Sequence, residues 1–292
     1  MENPLKDKIV LITGATNGIG LVTARELSRR GGQVTIVSRN KEKCAAVAAA
    51  IAADTGIPVE FIAADLSTIT GISHVATDFR NKHSRLHVLV NNAGGFFNKR
   101  TLTVDGFEYT FALNHISYFL LTNLLLDVLK ASSPARIINV SSAAHTSARG
   151  LDFDNLQGER KFSGWGAYAQ SKLANLLFTY ELARRLAGTG NTANALHPGY
   201  VDTGFALNNG SLFKLGAKLS AHFFGRKPQV GAQTSIYLAS SAEVEGVTGR
   251  YFHDCKQIES SPASHNQDAA LKLWQVSVEL TAKAMVYVRE GS

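Results

Sequence analysis

A chain of 292 residues, 45% hydrophobic and 18% charged, has the material for a large buried core, which excludes a disordered or fibrous chain. Its 30 Lys and Arg against 23 Asp and Glu give +7 at pH 7, but basic pairs such as Arg29-Arg30 and Arg184-Arg185 are scattered along helical patterns. They read as solvated helix faces, and no motif for reading nucleic acid accompanies them. Cys44 and Cys255 fall in no C-x-x-C pattern, which predicts neither a disulfide framework nor a zinc site and fits a reducing compartment. The N-terminus lacks the apolar stretch of a signal peptide, and the small-apolar run 45–53 is too short to span a bilayer. The expectation is a cytoplasmic protein with no transmembrane segment.

In chain order, β-branched runs at 9–12, 34–37, 59–62, 88–90, 137–140 and 194–196 predict strands. Stretches such as 18–30, 41–55, 118–130 and 168–186 repeat apolar residues at helical spacing. That alternation predicts one α/β domain over 1–292, a Rossmann-type doubly wound, mostly parallel sheet flanked by helices on both faces. Ligands of such sheets sit beyond the carboxyl ends of the strands, so the residues following each strand matter most.

After the first predicted strand comes Thr13-Gly14-Ala15-Thr16-Asn17-Gly18-Ile19-Gly20, and then a helix. Three glycines remove side chains where the backbone must turn tightly against a pyrophosphate, and the helix N-terminus offers free N–H groups and a positive dipole end. A dinucleotide fits that geometry.

This T-G-x-x-x-G-I-G turn, with Asn91-Asn92-Ala93-Gly94 after the fourth strand, then Asn114, Ser142 and Tyr168-Ala-Gln-Ser-Lys172, resembles the classical short-chain dehydrogenase/reductase family. The motifs keep family order over about 8–254. Asn114-His115, Ser171-Lys172-Leu173-Ala174-Asn175 and the run from Gly249 to Lys256 are most similar to its retinol-dehydrogenase-like branch. The resemblance implies that Gly14, Thr16, Asn17, Gly18, Ile19 and Gly20 hold the cofactor phosphates. It implies that Asp65 and Leu66 flank the adenine, and that Asn91, Ala93 and Gly94 line the adenosine side. Asp65 could equally cap the helix that follows Ser67. Pro198 and Gly199 would form a turn after the sixth strand, from which Val201 and Thr203 position the carboxamide and pyrophosphate. At the end of the second strand, after Ser38, NAD-preferring relatives commonly carry an acidic residue. Here Arg39 can instead pair bidentately with a 2′-phosphate, which favours NADP(H) over NAD(H).

Hydride transfer to a carbonyl needs a proton donor at the oxygen and a group to hold that oxygen. Tyr168 and Lys172 are four apart, so on a helix they share a face, and a nearby ammonium would lower the phenol pKa toward working pH. Ser142 closes the fifth predicted strand and Tyr168 opens the next long helix, so both converge on the carboxyl edge of the sheet. The family pattern makes Ser142 the oxygen holder rather than adjacent Ser141, makes Tyr168 the acid/base, and gives Lys172 the nicotinamide ribose. Asn114 would support Lys172 through a water. The 25 residues between Ser142 and Tyr168 imply an inserted loop, 150–164, at the cleft rim. His115, His145 and His197 lie near this edge without a metal-binding spacing.

After Thr203 the segment 204–227 is apolar, and its Phe205, Phe213, Leu215 and Leu219 predict a lid over a hydrophobic carbonyl or alcohol substrate. The basic residues among them also suit peripheral contact with a membrane surface. Residues 255–292 form a C-terminal segment. A monomer or a homodimer fits the resemblance. The readings left open are NAD(H) dependence on the same fold, and a regulatory protein that senses NADP(H) without turnover.

Overall fold

A computed structural model describes residues 3–199 and 227–290. Its centre is an eight-stranded sheet in the order β3-β2-β1-β4-β5-β6-β7-β8. The strands are Ile9–Thr13 (β1), Gln33–Ser38 (β2), Glu60–Ala63 (β3), Val88–Asn91 (β4), Arg136–Val140 (β5), Thr192–Leu196 (β6), Tyr251–His253 (β7) and Lys256–Ile258 (β8). All neighbours pair in parallel except β7 and β8. The chain reverses between those two at Asp254 and Cys255, whose φ values of 47° and 60° suit a tight two-residue hairpin turn.

Alternation along the strands builds the two helix layers. Leu11, Leu89 and Ile137 face one cluster, with Phe79, Phe119 and Phe178 from the helices Ile69–Lys82 (α3), Ser117–Leu124 (α5) and Gly164–Arg185 (α7). Val10, Ile12, Val88, Val90 and Ile138 face the other. There they meet Leu27 of Gly18–Arg29 (α1), Ile51 of Lys41–Thr55 (α2) and Leu238 of Pro228–Ser240 (α8). Each such fully buried side chain contributes ~1.5–3 kcal/mol, so both faces of the sheet must be covered.

The expected helix over 118–130 is two helices, preceded by a π turn. Tyr109–Phe111 (α4) runs into a wider π turn, Ala112–Ile116, which leads into α5, and Leu126–Lys130 (α6) follows. The π turn carries Asn114. Likewise α7 starts at Gly164, capped by the Ser163 hydroxyl, so Tyr168 lies in its second turn rather than at its opening. The helix Gln267–Glu290 (α9) packs across α7, α3 and α5, with the Trp274 ring 5.0 Å from Phe119 and 5.9 Å from Phe178. No helix among the described residues is long and apolar enough to cross a membrane. Val201, Thr203 and the lid residues Phe205, Phe213, Leu215 and Leu219 lie outside the described residues.

Candidate active site

A cleft of about 540 Å³ opens along the carboxyl ends of β1, β2, β4 and β5. One end is the glycine turn. Gly14 and Gly18 take positive φ values of 67° and 52°, which a side chain would strain. A Cβ on Gly20 would meet the Gly14 carbonyl oxygen at 2.4 Å and Asn92 Nδ2 at 2.5 Å, so only glycine lets these backbones approach. Asn17 leads into α1 in extended conformation with no side-chain hydrogen bond to the helix, which leaves the first-turn N–H groups facing the cleft. Thr16, Ile19, Ser38 and Arg39 stand beside it, with the Thr16 and Ser38 hydroxyls 3.0 Å apart. The Arg39 guanidinium donates to the Tyr109 hydroxyl at 2.9 Å, and the Tyr109 ring rests edge-on against Phe97. Leu66, Ala93, Gly94, Pro198 and Gly199 complete the wall as expected. Bare backbone, a helix N-terminus and a cation in one elongated cleft fit a dinucleotide phosphate chain.

Two expected cofactor residues are placed elsewhere. Asn91 shares the β4 face of Leu89, so it points into the helix layer. There its Nδ2 donates to Thr122 Oγ1 (3.0 Å) and to Asn139 Oδ1 (2.9 Å). Its neighbour Asn92 takes the cleft position, and Nδ2 donates to the Thr13 and Gly14 carbonyls at the glycine turn. Asp65 is not on the cleft wall either. Its Oδ1 accepts from the Ser67 N–H and hydroxyl, closing the turn before α3, while Thr68 caps that helix. Asp65 therefore closes the turn ahead of the helix, and the capping role that its place also suggested falls to Thr68.

At the other end, β5 delivers Ser141 and Ser142 side by side, and extended backbone sends them opposite ways. The Ser141 hydroxyl donates to the Lys172 carbonyl at 2.8 Å, whereas the Ser142 hydroxyl hydrogen-bonds the Tyr168 phenol. One turn along α7, Lys172 Nζ lies 5.8 Å from the Tyr168 ring centre and donates to the Val140 carbonyl at 2.9 Å. Tyr168 and Lys172 are 7% and 4% exposed, so burial decides their titration. It pushes the phenol up to about 12, against a smaller downward pull from Ser142. It draws Lys172 down to about 7. The direction is opposite to the fall that a nearby ammonium would give, and the tyrosine is a protonated donor at neutral pH.

Asn114 stands behind Gly94 rather than on the wall. Its side chain is engaged with the Gly95 N–H (2.9 Å), the Gly95 carbonyl (3.0 Å) and the Ser171 hydroxyl (2.9 Å). A Cβ on Gly94 would lie 3.1 Å from Asn114 Oδ1 and 3.5 Å from Lys172 Nζ, which puts amide and amine together on that side of the glycine. The inserted stretch 150–164 contributes no cleft residue, but Trp165 just after it does, half exposed and 6.1 Å from the Tyr168 ring. His197, expected near this edge, lines the cleft, and so do Trp165 and Leu113, which the sequence did not point to. Trp165 lies three residues before Tyr168, and on a helix that spacing was the available signal.

A family model described as short chain dehydrogenase matches residues 8–211. Retinol dehydrogenase 12 of Mus musculus is 46% identical over 274 residues, covering 94% of this chain and 86% of the relative. A solved structure of an uncharacterized protein from Mycobacterium paratuberculosis superposes with a TM-score of 0.77 at 34% identity, over 95% of this chain and 94% of that one. A short chain dehydrogenase from Burkholderia cenocepacia in complex with NADP gives 0.68 at 26% identity, over 85% and 96%. With the site geometry, these matches establish that the chain belongs to the short chain dehydrogenase family and is an oxidoreductase of the CH–OH/C=O couple that uses a nicotinamide cofactor.

Proposed function

We propose that the protein is an NADP(H)-dependent oxidoreductase interconverting an apolar aldehyde or ketone and its alcohol, with reduction favoured. The observation that carries this reading is one cleft with Arg39 and the glycine turn at one end and Ser142, Tyr168 and Lys172 at the other. Bound NADPH supplies the hydride. The Ser142 hydroxyl holds the substrate oxygen, and Tyr168, protonated at neutral pH, gives its proton to the oxygen as negative charge develops there. Lys172 would hold the nicotinamide ribose, with Asn114 steadying that end of the cleft from behind Gly94. Pro198, Gly199, Val201 and Thr203 would hold the carboxamide and pyrophosphate.

The 2′-phosphate assignment is supported by Arg39, which Tyr109 keeps at the cleft rim. An apolar substrate of the retinoid or long-chain aldehyde kind is supported by the similarity to mouse retinol dehydrogenase 12 and by exposed Trp165 at the cleft. Residues 204–227, with Phe205, Phe213, Leu215 and Leu219, would close over it. A free thiol at buried Cys44 suits a reducing, cytoplasmic setting, with peripheral contact at a membrane that carries such substrates.

The test is consumption of NADPH and NADH by purified protein with all-trans-retinaldehyde and straight-chain aldehydes of graded length. Turnover should be faster with NADPH and should rise with chain length. NADPH binding without oxidation across the panel would reject catalysis in favour of a cofactor sensor.

A further inference from the structure

Two imidazoles that take no part in the proposed chemistry join the C-terminal segment to the residues that do. His145 stands three residues after Ser142 on the short turn Ala143–Ser147. Its Nε2 accepts from the Ser261 N–H at 3.0 Å, so its proton is on Nδ1, which donates to the Ser142 carbonyl at 2.7 Å. Only the neutral ring makes both bonds, and burial favours that form. Ser261 is itself anchored, because neighbouring Ser260 Oγ lies 2.7 Å from the Tyr180 hydroxyl of α7 and His265 stacks on the Tyr180 ring.

His115 follows Asn114 on the π turn and is wholly buried. Its Nε2 lies 2.8 Å from Ser277 Oγ on α9. The Ser277 hydroxyl proton goes to the Leu273 carbonyl at 2.7 Å, so the serine oxygen accepts from the imidazole N–H. Both imidazoles thus reach from a site residue, or its immediate neighbour, to one stretch of chain more than a hundred residues away.

We propose that residues 260–277 are part of the catalytic frame and that His145 and His115 are positioning residues, carrying the placement of that segment to Ser142 and Asn114. A serine that must hold a substrate oxygen needs a fixed backbone, and the His145 bond restrains the Ser142 carbonyl at the end of β5. Asn114 sits on a π turn, a rare backbone form that interrupts the regular helix ladder, and the His115 bond ties that turn to α9. The inference rests on the roles proposed for Ser142 and Asn114.

The experiment compares His145→Asn, Ser277→Ala and Tyr168→Phe in the full-length protein, with NADPH and all-trans-retinaldehyde or decanal. Asparagine keeps a donor toward the Ser142 carbonyl but is too short to reach Ser261. Alanine at 277 removes the acceptor of His115 with little change in helix propensity. Both variants should lose about tenfold in kcat, as expected for a misplacement smaller than an ångström, with the substrate KM and the NADPH Kd within about twofold of the parent. Parent kcat in either variant overturns the proposal, as does a kcat loss matched by equally weakened NADPH binding, which would mark a general structural defect. Parent turnover in Tyr168→Phe would overturn the reading of the site itself. Collapse there beside parent kcat in His145→Asn would overturn the positioning role alone.

Discussion

Among the described residues Arg39 makes one hydrogen bond, to Tyr109 at the cleft rim, which leaves donors for a ligand there. A guanidinium meets a phosphate bidentately, and an aspartate at the same place would repel it. Arg39→Asp should weaken NADPH binding by about a hundredfold, in the range of a lost charge-assisted pair plus repulsion, and leave NADH binding nearly unchanged. Fluorescence titration with the two cofactors reads this directly, and equal effects would remove Arg39 from phosphate recognition. Lys172 gives a second handle. Its pKa falls from 10.5 in the unfolded chain to about 7 in the cofactor-free fold. Between those values the unfolded state binds the extra proton, so this group makes stability rise with pH, by up to about 1.4 kcal/mol per pH unit. Below pH 7 the amine is charged in both states and its slope vanishes. Urea unfolding of wild type and Lys172→Met from pH 6 to 10 should show the wild type gaining on the variant above pH 7. A constant difference would contradict the burial account.

At the scale of elements, the glycine turn was legible because its constraint is steric and local, and the structure shows what the pattern implied. Gly20→Ala puts a methyl into the Gly14 carbonyl and the Asn92 amide, so it should lower affinity for both cofactors at least tenfold, read by the same titration. The strand cores were legible from β-branched runs, with ends that differ by a residue or two. Side-chain direction at a strand end was not. Asn91 and Asn92 look alike in sequence, but the two-residue period gives the first to the buried Thr122 and Asn139 network and the second to the cleft. The same alternation separated Ser142 from Ser141, a choice the resemblance had already made. The break of 118–130 into two shorter helices was hidden because apolar residues run through it without a proline or glycine. The β7–β8 hairpin was missed because three-residue strands are too short to show periodicity.

Across the whole molecule, alternating strands and helices announced the doubly wound sheet, but not what lies against its helix layer. Trp274 of α9 stacks with Phe178 and carries the Arg185 guanidinium 4.1 Å from its ring centre, contacts between distant parts of the chain that no local pattern encodes. The same distance in sequence hid the ties from His145 to Ser261 and from His115 to Ser277. In the proposed arrangement the cofactor cleft at the carboxyl edge of the sheet depends on β1 for the phosphates and on the C-terminal segment for the backbone around Ser142 and Asn114. In the proposed reaction hydride passes to a carbonyl carbon in this cleft while Tyr168 supplies the proton. The most direct measurement uses NADPH deuterated at the transferable C4 position with all-trans-retinaldehyde or decanal, on wild type and Tyr168→Phe. The account predicts deuterium on the carbinol carbon of the wild-type product, and a turnover about two to four orders of magnitude lower in the variant, which retains its NADPH affinity. Product without deuterium at that carbon, or full turnover in Tyr168→Phe, would contradict it.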